Sequence, residues 1–102
     1  MFGLGGIFVE VLQDVSFRLA PFGKSEARRM IDEIRGRAVL DGVRGQPAVN
    51  IDLLADALSR LSAFGVRNVA TLESVDINPL ILTADAAYAV DGLIVPRVSA
   101  AT

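Results

Sequence analysis

The fold of this chain is decided by residues 76–91, which read DINPLILTADAAYAVD. Residues 80–82 (LIL) and 87–90 (AYAV) are rich in aliphatic and aromatic side chains, as short strands are. Between them, residues 83–86 (TADA) have the small and polar composition of a turn. We therefore predict an antiparallel hairpin whose turn is centred on Ala84 and Asp85.

The position of this turn fixes which residues face each other across the hairpin. The predicted register places Leu82 opposite Ala87 and Asn78 opposite Asp91. Directly opposed residues of antiparallel strands point to the same face, with their Cβ atoms roughly 4.5–5.5 Å apart. Asp76 lies two residues before Asn78 and therefore shares that face. The sequence predicts that one amide oxygen and one or two carboxylates converge, as a magnesium–nucleotide site requires.

The same residues also have simpler interpretations. An Asn-Pro pair such as Asn78-Pro79 commonly marks a turn or the end of a strand, and Asp91-Gly92 is typical of turns. Two carboxylates on one face also repel each other unless a cation or solvent separates them. From the residues alone, both a metal site and ordinary turn chemistry remain open.

The composition limits what the chain can be. Its 102 residues make one small domain or part of one, and they are 52% hydrophobic with a mean hydropathy of +0.47. This apolar character indicates either a well-filled core or an apolar surface that another domain, chain or copy covers. The net charge of -2 gives no basic surface for nucleic acid.

The chain has no cysteine and no histidine, which removes thiolate and imidazole ligands. Any metal would be a hard, oxygen-ligated ion such as Mg²⁺, Mn²⁺ or Ca²⁺. Residues 1–6 lack the features of a signal peptide, and no apolar run reaches the roughly 20 residues of a membrane span. We expect a cytoplasmic protein with neither a nucleic-acid nor a membrane partner.

The first part of the chain predicts a second hairpin. Residues 7–12 (IFVEVL) have the composition of a strand, and residues 15–20 (VSFRLA) alternate like a half-buried partner strand that Pro21 ends. Residues 3–6 (GLGG) resemble a phosphate-binding loop, but no Lys-Ser/Thr pair follows and we expect no helix there. The simpler interpretation of these glycines is a tight bend. The simpler interpretation of Glu10 is a strand residue whose side chain faces outward.

Two apolar stripes predict helices in the middle of the chain. The first helix is expected over residues 26–35 with Ser25 as its N-cap, and the second begins at the N-cap Asn50 and ends at Gly65. The connector over residues 37–46 is expected to be irregular because of its glycines.

A last strand, from about Val69 or Glu73 through Pro79, precedes the hairpin. The predicted fold class is α+β, in the order β-β-α-α-β-β. It would be a mostly antiparallel four-stranded sheet with two helices on one face.

Five stretches of the chain together carry a family resemblance. They are residues 1–12 (MFGLGGIFVEVL), 14–21 (DVSFRLAP), 40–45 (LDGVRG), 76–80 (DINPL) and 89–91 (AVD). In this order and spacing they resemble the C-terminal part of the ATP-grasp domain in NDP-forming acyl-CoA synthetases. That family includes ADP-forming acetate–CoA ligases and the related succinyl-CoA synthetase β chains.

The resemblance implies an acid–CoA ligase that interconverts acyl-CoA, phosphate and ADP with free acid, CoA and ATP. It implies Mg²⁺ and ATP/ADP as cofactors and a phosphorylated histidine elsewhere in the parent protein. By position, Asn78 and Asp91 match the family's metal ligands, and Asp76 matches the acidic position before them. Gly5, Gly6 and Glu10 match a loop near the phosphoryl-transfer site.

Departures from the family pattern point to a fragment. Gly92-Leu93 follows Asp91, where the family often has a small and then a basic residue. The adenine-contacting hinge, the phosphate-binding lysine strand, the CoA-binding domains and the histidine are all missing from this sequence. We expect an incomplete ATP-grasp subdomain, inactive alone, whose partners are the remaining ATP-grasp and CoA-binding domains or another copy. The alternative is a non-catalytic interaction or oligomerisation module derived from such an enzyme.

Overall fold

The computed structural model describes residues 1–42, 45 and 47–98. The elements are, in chain order, β1 (Phe2–Gly3), α1 (Ile7–Glu10), β2 (Val15–Ser16), α2 (Lys24–Glu33), a 3₁₀ helix (Arg35–Asp41), α3 (Ile51–Arg67), β3 (Leu72–Ile77), β4 (Leu80–Leu82), β5 (Ala87–Ala89) and β6 (Gly92–Pro96). The α+β class with antiparallel strands is confirmed. The strands form three two-stranded ladders, β1–β2, β3–β6 and β4–β5, in place of the single four-stranded sheet that we predicted.

The core lies between the helices. Its buried side chains are Ala27 and Ile31 of α2, Leu40 of the 3₁₀ helix, and Leu54 and Ala55 of α3. The hairpin packs onto this cluster through Leu80 and Leu82. No helix among the described residues is long and apolar enough to cross a membrane.

Helix α3 begins as predicted. The Asn50 side chain caps it, because its Oδ1 accepts a hydrogen bond of 3.1 Å from the backbone N–H of Leu53. The helix continues two residues beyond the predicted end at Gly65 and closes at the C-cap Asn68. Gly65 does not end the helix, because tertiary packing overrides the low helix propensity of a single glycine.

Helix α2 begins earlier than predicted. Gly23 occupies the N-cap position, and Ser25 lies within the first turn, where no side-chain capping bond is made. The buried face of α2 consists of Ala27, Met30 and Ile31, in the predicted helical spacing.

The prediction of a strand over residues 7–12 is wrong, because residues 7–10 form the single helical turn α1. The backbone enters this turn through Gly5 and Gly6, whose φ angles of 84° and 53° favour glycine. The Gly6 carbonyl then accepts hydrogen bonds from the N–H groups of Val9 and Glu10. Strand β2 consequently pairs with β1 rather than with residues 7–12, with Phe2 opposite Ser16 and Gly3 opposite Val15.

The predicted irregular connector begins instead as the 3₁₀ helix, and Asp14 explains why. The buried Asp14 carboxylate accepts hydrogen bonds from the backbone N–H groups of Arg35 at 2.6 Å and Gly36 at 2.7 Å. These are the first donors of the 3₁₀ helix, which has no side-chain cap of its own at Ile34. The rest of the connector includes residues 43, 44 and 46, which lie outside the described residues.

Gly36 allows α1 to pack closely on the 3₁₀ helix. A Cβ atom at Gly36 would lie 2.8 Å from Leu4 Cδ1 and 3.3 Å from Phe8 Cε1, both shorter than ordinary carbon contacts. Asp14 also donates its own N–H to the Phe8 carbonyl at 2.7 Å. Asp14 and Gly36 therefore fix the position of α1 against the helical layer.

We expect Asn50→Ala to lower the free energy of unfolding by about 1 kcal/mol, because the first turn of α3 loses its side-chain acceptor. Asn50→Asp retains an acceptor at the same place and serves as the control, with stability close to that of the parent chain. Urea denaturation followed by circular dichroism measures both variants. Equal stability of Asn50→Ala and the parent would contradict the capping role.

We expect the stabilising effect of the Asp14 carboxylate to disappear in acid. Hydrogen bonding from Arg35 is the main cause that lowers the pKa of Asp14 below its ordinary value, although burial opposes it. A lowered folded-state pKa gives stability that is present above the unfolded pKa and lost as the pH falls through the folded pKa. Asp14→Asn should therefore be less stable than the parent at pH 7, and the difference should shrink on acidification.

Thermal unfolding between pH 7 and pH 2 measures this difference. Asp85→Asn is the control, because the Asp85 carboxylate makes no hydrogen bond or ion pair with the described residues. A constant difference between Asp14→Asn and the parent over the whole range would exclude the carboxylate's charge as its cause.

Candidate functional site

The predicted hairpin register is confirmed. Strands β4 and β5 pair Leu80 with Ala89, Ile81 with Tyr88 and Leu82 with Ala87. The turn is closed by Thr83, whose N–H donates to the Ala86 carbonyl at 2.9 Å. The Thr83 hydroxyl also accepts hydrogen bonds from the N–H groups of Asp85 and Ala86. Side chain and backbone of Thr83 thus fix the turn that sets the register.

The same register continues beyond this ladder. The Asn78 N–H donates to the Asp91 carbonyl at 3.0 Å, and the Val90 N–H donates to the Pro79 carbonyl at 3.1 Å. Strands β3 and β6 then pair Ile77 with Gly92 and Asp76 with Leu93. The backbones of Asn78 and Asp91 therefore lie opposite each other.

The alternation of inward and outward side chains changes phase at Asn78-Pro79. Ile77 and Leu80 are both half-buried although they are three residues apart, whereas Asn78 and Pro79 between them are both exposed. Proline has no N–H for a regular ladder, and the ladder is interrupted here between β3 and β4. An uninterrupted strand would turn Asn78 to the same side as Leu80, towards the core.

The oxygen atoms of this site are available to a ligand. Asp91 uses Oδ1 to accept a hydrogen bond of 2.9 Å from the N–H of Gly92. Within residues 1–42, 45 and 47–98, no group hydrogen-bonds to the side-chain amide of Asn78 or to the Asp76 carboxylate, and both residues are exposed. In the same ranges, no group of three or more acidic, histidine or cysteine residues could hold a metal ion. The arrangement is an open edge of a few oxygen donors rather than a closed cage.

Strand β6 was not predicted, and it adds one residue to this surface. Leu93 lies opposite Asp76, and 62% of its area is exposed. The sequence signal for β6 was its run of aliphatic residues, Leu93-Ile94-Val95, directly after the glycine that follows Asp91. Asp76 therefore faces an aliphatic side chain rather than a cation across the ladder.

The second predicted group of residues lies on another element. Gly5 and Gly6 precede α1, so a helical turn follows this loop, contrary to our expectation, and Glu10 is exposed at its end. Among the described residues, no hydrogen bond or ion pair joins this loop to the hairpin. The structure therefore does not bring Gly5, Gly6 or Glu10 into direct contact with Asn78 and Asp91.

Comparison with known proteins identifies the class of this fold. The sequence profile of the ATP-grasp domain matches residues 1–95, so the chain belongs to the ATP-grasp family. It is 47% identical over 91 residues to the β subunit of the ADP-forming acetate–CoA ligase I of Pyrococcus furiosus. It is 42% identical over 82 residues to the ADP-forming 4-hydroxybutyrate–CoA ligase of Nitrosopumilus maritimus.

These relatives are much longer than the chain. The matches cover 89% of this chain and 39% of the Pyrococcus subunit, and 80% of this chain and 12% of the Nitrosopumilus ligase. The chain thus spans two fifths or less of these curated relatives.

Solved structures of related enzymes are also similar to this chain over part of their length. The dinucleotide-forming acetyl-coenzyme A synthetase 1 of Ca. Korarchaeum cryptofilum superposes with a TM-score of 0.89 at 41% identity, over 93% of this chain and 42% of that chain. Another structure of this synthetase, in complex with coenzyme A and Mg-AMPPCP, has a TM-score of 0.85 at 42% identity. This second match covers 93% of this chain and 44% of the synthetase chain. The relatives are ADP-forming acyl-CoA ligases, and the chain corresponds to a part of such an enzyme.

Proposed function

We propose that this chain supplies the hairpin that holds Mg²⁺ and nucleotide phosphates in an ADP-forming acid–CoA ligase. The observation that carries the proposal is the opposition of Asn78 and Asp91 across one continuous register. It is supported by the Mg-AMPPCP that the related synthetase binds. As expected for this class of enzyme, we assign the chain to the cytoplasm.

The donor chemistry fits Mg²⁺. Amide and carboxylate oxygens are the hard ligands that this ion prefers, and Mg²⁺ is usually bound through one or two carboxylates together with substrate phosphates. The lack of a larger acidic group within the described part of the chain is consistent with that mode of binding. Mg²⁺ bound in this way would neutralise phosphate charge during phosphoryl transfer.

Each side chain has a distinct proposed role. The Asn78 amide oxygen would be a neutral ligand, and Asp91 would ligate through Oδ2, because Oδ1 already accepts the Gly92 N–H. Asp76 would hold a metal-bound water or orient Asn78 from the neighbouring position on the same exposed face. No protein cation balances the charge of Asp76 across the ladder, where Leu93 lies.

The glycine loop has a less specific proposed role. Gly5, Gly6 and Glu10 would lie near the transferred phosphoryl group, as the family resemblance implies. The exposure of Gly6 and Glu10 is compatible with contact to a ligand or to another part of the enzyme.

The partner that we propose is the rest of the ligase, meaning the remaining ATP-grasp and CoA-binding domains. The chain exposes 7095 Å², compared with roughly 5,500 Å² for a compact monomer of its mass. The exposed surface includes large apolar side chains such as Val11, Tyr88 and Leu93. This surplus also favours the alternative, a non-catalytic module that covers its apolar surface in a homo-oligomer.

We expect Mn²⁺, a paramagnetic substitute for Mg²⁺, to broaden the amide signals of residues 76–78 and 90–92 before others in a nuclear magnetic resonance titration. Asp91→Asn should reduce this broadening several-fold by removing a charged ligand. Asp85→Asn is the matched control, because it removes an exposed carboxylate from the turn of the same hairpin. Equal loss of broadening in both variants would show general attraction of cations to the hairpin and would contradict the site.

We expect the 102-residue chain to show no ligase turnover in a coupled assay that detects the ADP formed when acyl-CoA is made from free acid, CoA and ATP. The expected reason is that the proposed site needs further ligands from substrate phosphates and from domains outside this chain. In the same preparation, calorimetric titration with MgCl₂ alone should give an affinity weaker than micromolar. Turnover by the isolated chain, or micromolar binding of Mg²⁺, would overturn the fragment interpretation.

A further inference from the structure

Leu93 is an exposed aliphatic residue beside the proposed metal ligands. It lies directly opposite Asp76 in the β3–β6 ladder, and 62% of its area is exposed. Directly opposed residues of antiparallel strands have Cβ atoms roughly 4.5–5.5 Å apart, so a long side chain at one position reaches the other. Position 93 is therefore where a protein cation would pair with the Asp76 carboxylate, and this chain has an uncharged side chain there.

The strands around this pair carry negative charge only. Residues 72–96, from the start of β3 to the end of β6, include four acidic residues and neither lysine nor arginine. The next cation along the chain is Arg97, four residues beyond Leu93 and on the order of 13 Å away along a strand. Its Nε donates to the Val69 carbonyl at 2.7 Å. Within the described part of the chain, Asp76 forms no ion pair, so its charge is left to solvent and to any ligand that binds at this face.

The charge at position 93 matters for a divalent cation at the hairpin. A lysine or arginine opposite Asp76 would donate hydrogen bonds to the carboxylate oxygens and would also repel the metal ion. Leucine does neither, so the full negative charge of Asp76 remains available two residues from Asn78 on the same face. The uncharged side chain thus favours a cation from solution over an ion pair within the protein.

We propose that Leu93 determines how strongly the hairpin binds a divalent cation, because it leaves the Asp76 carboxylate to the ion and its bound water. This inference rests on the proposed function and adds to the site a residue that is not itself a ligand. Since residues 72–96 contain no lysine or arginine, the divalent ion is the group on these strands that offsets the charge of bound phosphates.

The test introduces one positive charge on either face of β6. Leu93→Lys places a lysine opposite Asp76, and the matched control Ile94→Lys places one opposite Val75, on the other face of the ladder. Both replaced side chains are more than half exposed, so neither change opens a cavity. Mn²⁺ alone is titrated, and its binding is measured from the broadening of the amide signals of residues 76–78 and 90–92. Unchanged chemical shifts of the α3 amides verify that each variant is folded.

We expect Leu93→Lys to weaken Mn²⁺ binding at the hairpin by about threefold or more at low ionic strength, and Ile94→Lys by less than about 1.5-fold. Leu93→Lys should have a smaller effect when it is added to Asp76→Asn, which removes the charge that the lysine would pair with. Equal losses in the two lysine variants, or an undiminished loss in the Asp76→Asn background, would overturn this inference and leave the proposed function standing. Absence of broadening at the hairpin of the unmodified chain would instead overturn the proposed function and this inference with it.

Discussion

The packing of the β4 leucines onto the helical layer, together with the turn that Thr83 closes, is the constraint on which the rest of the hairpin depends. Leu80 and Leu82 must face the core, and the Asn50 N–H reaches the Thr83 carbonyl at 3.2 Å, which ties the turn to the start of α3. A shift of register by one residue would turn the leucines to solvent, so burial of the leucines selects one pairing. That pairing then determines, several residues away, that Asn78 meets Asp91. The site geometry is therefore a consequence of core packing rather than of any attraction between the site residues.

The elements that sequence patterns predicted correctly are those whose cause is local. The apolar stripe of α3 and its cap Asn50 lie within one segment, and the register of the hairpin follows from its own turn. The failures have non-local causes. The β-branched run over residues 7–12 favours a strand, but Phe8 packs on Gly36, and the glycines allow the chain to turn there. The 3₁₀ helix depends on Asp14, which is 21 residues before its first partner Arg35.

The distinction between local and non-local causes also applies to the candidate site. The sequence predicted that Asn78 and Asp91 are opposed, because a register propagates along a ladder. It did not predict how Asn78 reaches solvent next to leucines that face the core. Simple alternation from Leu80 would turn Asn78 inward, and only the change of phase at Pro79 places it outward. Alternation rules assume an uninterrupted ladder, so they fail at the residue where this ladder is interrupted.

The proposed metal site at the hairpin depends on interactions that other residues make. At the hairpin, the exposed amide and carboxylate oxygens would hold a cation only weakly in water, and under the proposed function phosphate oxygens would complete its coordination. The chain's own interactions hold these oxygens in place, through the β4 leucines that pack on the core. Among the described residues, the side chains of Asp76 and Asn78 have no hydrogen-bond partner, and Asp91 accepts one hydrogen bond, through Oδ1 from Gly92. Their exposure on an element that the core holds in place leaves them accessible to a ligand, as the proposed function requires.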